Sequence, residues 1–150
     1  MRRVCVIVGL VLVSFCFASC DLFDDPSNVN FEIVSEGSSS GVSTKSELVI
    51  DTQPEWQTLW EQHTSRVNPR PPLPAVDFGT SVIVAIFGGD KPDSCYRLFL
   101  REVSKNNSDV TVRYEIVKTP ADACLLVITQ PFTMIRILKP QGNIRIIEQR

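Results

Sequence analysis

One histidine, His63, and five cysteines hold most of the chemically reactive potential of this chain of 150 residues. Composition alone permits a Ser-His-Asp hydrolase, with many serines and Asp77 or Asp90 to orient the imidazole, but no nucleophile-elbow signature accompanies them. His63 lies in register with two tryptophans on one helical stripe. That setting suits a packed, hydrogen-bonded imidazole better than a general base tuned for proton transfer. Asp24-Asp25 precedes the folded region and Asp90 and Asp93 flank a turn, so these carboxylates read as solvated or turn-forming groups. Gly88-Gly89 follows an apolar run without the G-x-G-x-x-G or Walker pattern of a phosphate cradle. The sequence therefore predicts no catalytic set, no cofactor and no metal.

The cysteines carry a different kind of information. Arg2 and Arg3 precede fourteen almost unbroken apolar residues, 4–17, and Phe17-Ala18-Ser19 leads directly to Cys20. A positive start, a short apolar core and a small-residue exit describe a signal peptide. The apolar core is shorter than the roughly 18 residues a spanning helix requires. Phe17-Ala18-Ser19-Cys20 resembles the lipobox of bacterial lipoproteins, which implies removal of residues 1–19 and lipidation of the Cys20 sulfur. Cys16 cannot substitute, because the bulky Phe15 precedes it. An uncleaved anchor and an ordinary signal peptide are the bland alternatives. Two or more acyl chains hold a protein firmly at a membrane where one binds it marginally. Asp21 resembles the inner-membrane retention signal of some Gram-negative lipoproteins, and the choice between inner and outer membrane stays open.

Once residues 1–19 are gone, Arg2 and Arg3 leave with them, so thirteen basic residues face seventeen acidic ones and the net charge is −4. That balance disfavours nucleic-acid binding, which needs a basic surface. Residues 20–30 are polar and acidic and read as the acylated cysteine with a flexible tether, and residues 31–150 suffice for one domain. Cys95 and Cys124 then remain as a pair in a disulfide-permissive compartment. A bridge would contribute roughly 3–4 kcal/mol in the chain-entropy model; two buried thiols are the alternative. Two thiols and one distant histidine lack the close ligand spacing of a zinc site.

The elements that must position these groups are mostly strands. Residues 31–34 and 47–50 read as short strands separated by a Gly- and Ser-rich turn. Thr52 and Glu55 form a T-x-x-E capping box, with Pro54 in the first turn. Trp56, Leu59, Trp60 and His63 follow at i, i+3, i+4 and i+7, a structural helix face suited to docking on a sheet. The helix should end near Ser65, before the extended proline-rich segment 68–74. The continuous apolar run 81–87 predicts a strand buried on both faces. Residues 95–103 and 109–117 predict a hairpin, and 125–128, 132–138 and 144–147 predict further strands. The expected fold class is α+β: a mostly antiparallel, rolled β-sheet with one main helix packed against it.

Four pieces occur in an informative order: Glu55-Trp56 with Trp60 and His63, Val76-Asp77-Phe78 before the apolar strand, Gly88 to Pro92 before Cys95-Tyr96, and Gln130-Pro131-Phe132 before a late strand. Together they resemble the PrcB-like C-terminal domain, named for an accessory lipoprotein of a bacterial subtilisin-type protease complex. The resemblance spans about residues 31–147. Many members carry Gly-Gly-Tyr where this chain has Ser94-Cys95-Tyr96.

The resemblance implies a non-catalytic module in the bacterial cell envelope, lipid-anchored and exocytoplasmic, that binds or stabilises a partner protein. A protease is one candidate partner, and the membrane is reached through Cys20. Gly88, Gly89, Asp90, Pro92, Tyr96, Arg97, Phe132 and Arg136 are the candidate partner-binding residues, combining a loop with aromatic and arginine side chains. The alternatives are a protease inhibitor presenting a loop to a target active site and a hydrolase using His63.

Overall fold

The uninterrupted apolar run becomes a strand, β4 (Ser81–Phe87), and all seven of its side chains are buried. Both faces of β4 are covered because it lies in the middle of three layers. Ile83, Ala85 and Phe87 pack with Trp56, Leu59 and Trp60 of the helix α1 (Gln53–His63). Val82, Val84 and Ile86 alternate to the other side and meet Val103, Val110, Val112 and Tyr114.

These contacts come from a computed structural model that describes residues 27–120 and 123–150. The expected signal peptide, the expected lipidation site Cys20 and the first part of the expected tether lie outside the described residues. Around β4 run β1 (Ser27–Asn28), β2 (Phe31–Gly37), β3 (Ser46–Ile50), β5 (Tyr96–Asn106), β6 (Asp109–Lys118), β7 (Phe132–Leu138) and β8 (Ile144–Glu148). The fold is α+β, sheet-dominated and mostly antiparallel, with one short helix among the described residues. Its strands are divided between two four-stranded sheets, ordered β2-β7-β4-β3 and β1-β5-β6-β8. Only β6 and β8 pair in parallel among the described residues. No helix among them is long and apolar enough to cross a membrane.

Several local expectations shift. Ser27 pairs with Lys105 and Asn28 with Ser104, and Val29 packs against the core between the sheets. Pairing with the sheet thus already occurs at Ser27, ahead of residue 31, where the domain is expected to begin. At the start of α1, Thr52 Oγ1 donates to Glu55 Oε2 at 2.7 Å instead of capping a backbone amide. The two side chains of the expected capping box satisfy each other. The hairpin turn narrows to Asn107-Ser108, with Asn107 at φ 55°, a left-handed conformation that Asn tolerates better than most residues.

Residues 125–128 form no strand. They meet the chain opposite at separate points, without the ladder that β-branched side chains alone cannot create.

The helix is held at both ends by chain that follows or precedes it. Trp56 Nε1 donates to the Pro74 carbonyl at 2.9 Å and Trp60 Nε1 to the Pro71 carbonyl at 3.2 Å. The two indoles thus bury their rings and fasten the proline-rich segment, satisfying the polar edge that a buried Trp must place. The Gly41 amide donates to the His63 carbonyl at 2.8 Å, pairing an acceptor at the helix end. A side chain at Gly41 would collide with the Gln62 carbonyl and Ser65, so this close approach requires glycine.

Candidate functional site

Residues 125–128, Leu-Leu-Val-Ile, are suspended between two clamps. On one side Cys124 and Cys95 stand at disulfide distance with their Cα atoms 5.5 Å apart. Beside them the Leu125 amide donates to Ser94 Oγ and the Ser94 amide to the Leu125 carbonyl, each at 3.0 Å. On the other side Lys91 and Thr129 exchange backbone hydrogen bonds of 2.8 and 3.0 Å, and Thr129 Oγ1 donates to the Asp93 carbonyl at 2.8 Å. Between the clamps the Val127 amide donates to the Leu125 carbonyl at 2.8 Å, which places Leu126 at the apex of a tight turn.

The side chains so held face water. Leu126 is 91% exposed, Leu125 68% and Ile128 67%, with Val127 half exposed. Single exposed aliphatics are ordinary, but four in succession form a patch of the kind that marks an interaction surface. The clamps matter energetically, because an ordered loop has less conformational entropy to lose on binding.

Lys91, Lys118 and Arg97 flank the loop together with Asp90 and Asp93. Lys91 and Lys118 lie 5.7 and 5.4 Å from the centre of the Tyr96 ring, within cation–π range. Lys118 Nζ donates to Asp93 Oδ2 at 2.8 Å, and Asp93 Oδ1 accepts the Cys95 amide at 2.9 Å. The Lys118 ammonium, then the Cys95 amide, hold the Asp93 carboxyl below its ordinary range, and the same pairing raises Lys118. Arg97 donates to the Ser94 and Tyr96 carbonyls at 2.7 and 3.0 Å. Among the described residues, neither Lys91 nor Arg97 forms an ion pair with a carboxylate.

Asp93, Cys95 and Cys124 bring three potential metal ligands together. Their donor capacity is already used: the sulfurs face each other and the carboxylate serves Lys118 and a backbone amide. The arrangement braces the base of the loop.

Of the candidate partner-binding residues, Asp90, Pro92 and Arg97 are exposed and Tyr96 is half-buried. They lie on the segment against which 124–130 is clamped, and Asp90 accepts a 2.7 Å hydrogen bond from Gln130. Gly88 and Gly89 are buried: the Gly88 amide donates to the Pro131 carbonyl at 2.7 Å, and Gly89, at φ 71°, lies against the backbone at Lys45. Phe132 belongs to the core beneath the helix. Arg136 lies four residues further along β7 and pairs with Glu32 of β2, away from the loop. The aliphatic tetrad itself was concealed by its composition, which matches a strand. Pro120 and Pro131 on either side were the sequence signal against a central strand.

His63 is packed inside. Its Nδ1 and Ser40 Oγ are 2.9 Å apart, and Ser40 Oγ also accepts the Val42 amide at 3.0 Å. The imidazole centroid is 4.4 Å from that of Phe132, edge to face, and 5.4 Å from that of Trp60. Burial pushes the imidazole pKa below its usual value. Both Ser40 and His63 are buried, and no carboxylate hydrogen-bonds the ring among the described residues. The pair links the 38–42 turn to the end of α1.

No family model, no curated protein and no solved structure matches the chain.

Proposed function

We propose that this protein is a lipid-anchored exocytoplasmic module that binds and stabilises another protein and does no chemistry itself. The observation that supports this reading most directly is the contrast between the exposed, doubly clamped aliphatic loop and the buried imidazole of His63. Binding energy concentrates in ordered apolar projections, whereas catalysis requires a reactive group that substrate can reach. The leader and Cys20 supply the location, and the resemblance to the PrcB-like domain suggests an envelope protease as the partner class.

Two measurements test this reading. Cells fed labelled palmitate should label the wild-type chain and not Cys20→Ala; label that persists in the variant removes the anchor. Affinity capture after gentle solubilisation should recover a partner in stoichiometric amount, and recovery of none removes the binding role.

A second reading is inhibition of a protease. The bracing of an exposed loop by Cys95 and Cys124 supports it, because a rigid loop can occupy an active site without adapting to cleavage. It predicts that the purified chain suppresses a subtilisin-type protease in proportion to its concentration. Undiminished activity at excess chain eliminates it. Hydrolysis through His63 is the weakest reading, and it requires activity that disappears in His63→Ala.

A further inference from the structure

We infer that Leu125, Leu126 and Ile128 form a plug that docks in an aliphatic pocket, bordered by carboxylates, on another exocytoplasmic protein. This inference rests on the binding-module reading and assigns its surface. Leu126 at the turn apex projects furthest, with Leu125 and Ile128 exposed beside it. An aliphatic pocket is the surface that removes these side chains from water, at about 25 cal/mol per Å² of apolar area buried.

The charge around the plug specifies the rim of that pocket. Lys91 exchanges backbone hydrogen bonds with Thr129 at one clamp, and Arg97 reaches the Ser94 carbonyl at the other. Neither pairs with a carboxylate among the described residues, and both stand where a partner's carboxylate would meet them. A second copy of this chain is a poor occupant. In a two-fold contact through the plug, Lys91 and Arg97 of one copy would face the same cations of the other.

The position of the plug argues against the anchoring bilayer. The domain is entered at Ser27, opposite Lys105, whereas the plug hangs from Ser94 and Cys95 at the other end of β5. The strand between those ends is about 30 Å long at ~3.3 Å per residue. Six residues separate Cys20 from Ser27, a span of seven Cα-to-Cα steps. Fully extended, they reach about 25 Å. The tether is too short for the domain to stand upright on the plug, with Ser27 a full strand length above the bilayer. Lys91 and Arg97 also fall short of the four to eight Lys or Arg, roughly, that mark a segment read by anionic lipid.

The test uses the full-length chain in its native cells, with a photoreactive benzoylphenylalanine at position 126 or, as a control, at Glu61 on the exposed side of α1. The expected result is one discrete protein adduct from 126 and none from 61. Adding Leu125→Ser and Ile128→Ser, or Lys91→Glu and Arg97→Glu, should lower the adduct yield about tenfold or more. Unchanged melting temperatures in these variants show that the fold is intact. Absence of an adduct, equal adducts from both positions, or an adduct with a second copy overturns the inference. Purified Cys20→Ser chain should not sediment with phosphatidylcholine–phosphatidylglycerol vesicles; sedimentation that Leu126→Ser abolishes also overturns it. If stoichiometric capture survives the Leu125→Ser, Ile128→Ser pair, the plug is wrong and the binding module stands. If the wild-type chain captures nothing, both fall.

Discussion

Tyr114 and Glu47 are 67 residues apart in sequence, yet the phenol hydroxyl of one donates a 2.5 Å hydrogen bond to the carboxylate of the other. Tyr114 belongs to β6 and Glu47 to β3, so the bond joins the outer sheet to the edge of the middle one. The ring is fully buried between the layers, and its hydroxyl reaches out to an exposed carboxylate. Burial first, and Glu47 second, hold the phenol pKa far above its ordinary value.

Tyr114→Phe should therefore lower stability by about 1–2 kcal/mol, the value of one hydrogen bond to a charged acceptor that water can replace. Urea denaturation at neutral pH measures it. The wild type carries a second signature, because an unfolded phenol ionises near pH 10 while the folded one resists. The contribution of Tyr114 to stability is complete below pH 10 and declines as pH rises above it. Tyr114→Phe should lack that part of the alkaline decline.

His63 sets a corresponding dependence on the acid side. Burial lowers its folded pKa below 6.5, so as pH falls past that point the unfolded chain takes up the proton first. Stability should be complete above pH 6.5 and decrease below it until the folded imidazole also titrates. His63→Gln should melt at a lower temperature at neutral pH and show a flatter profile between pH 6.5 and 5. Thermal melts across that range decide it, and parallel slopes for the two proteins contradict the assignment.

Opening the Cys95–Cys124 bridge should cost roughly 3–4 kcal/mol, from the entropy of a closed loop of about 30 residues. The loss should be local as well as global, because Cys124 directly precedes the exposed tetrad. Amide exchange at 125–128 should accelerate on reduction with dithiothreitol, while amides in β4 remain protected. Equal acceleration in both places indicates general unfolding instead.

Trp56→Phe retains an aromatic ring against β4 and removes the donor to the Pro74 carbonyl. It should cost about 1–3 kcal/mol, for an unpaired backbone acceptor and reduced packing. Trypsin cleavage after Arg66 should accelerate at the same time, because the indoles fasten the chain that follows. A variant destabilised without faster cleavage there argues for packing alone.

The local vocabulary of this fold is legible in the sequence. The spacing of Trp56, Leu59, Trp60 and His63 encodes a helix with one buried face, and the run 81–87 encodes a strand with two. Both follow from periodicity, which neighbouring side chains impose on one another within a few residues. Export and a lipid at Cys20 are expectations that rest on equally local patterns, in residues outside those the structure describes. Cysteine parity similarly anticipated the partnership of Cys95 with Cys124. Layering was not legible: nothing near Tyr114 announces Glu47, and nothing in residues 144–148 says that they pair in parallel with β6.

The candidate site divides along the same line. Residues 125–128 have the composition of a strand, and only tertiary structure leaves them outside every ladder, with a disulfide partner at one end and Lys91 at the other. Gly88, Gly89 and Phe132 have the composition of a binding loop, and only tertiary packing turns them inward. The sequence by itself determined the helix and the strands with a clear hydrophobic period, because backbone sterics and that period act over short distances. The tertiary structure decided which apolar side chains are core and which are surface. Burial is a property of the whole packed chain, and the similarly aliphatic runs 83–86 and 125–128 meet opposite fates according to what lies across from them.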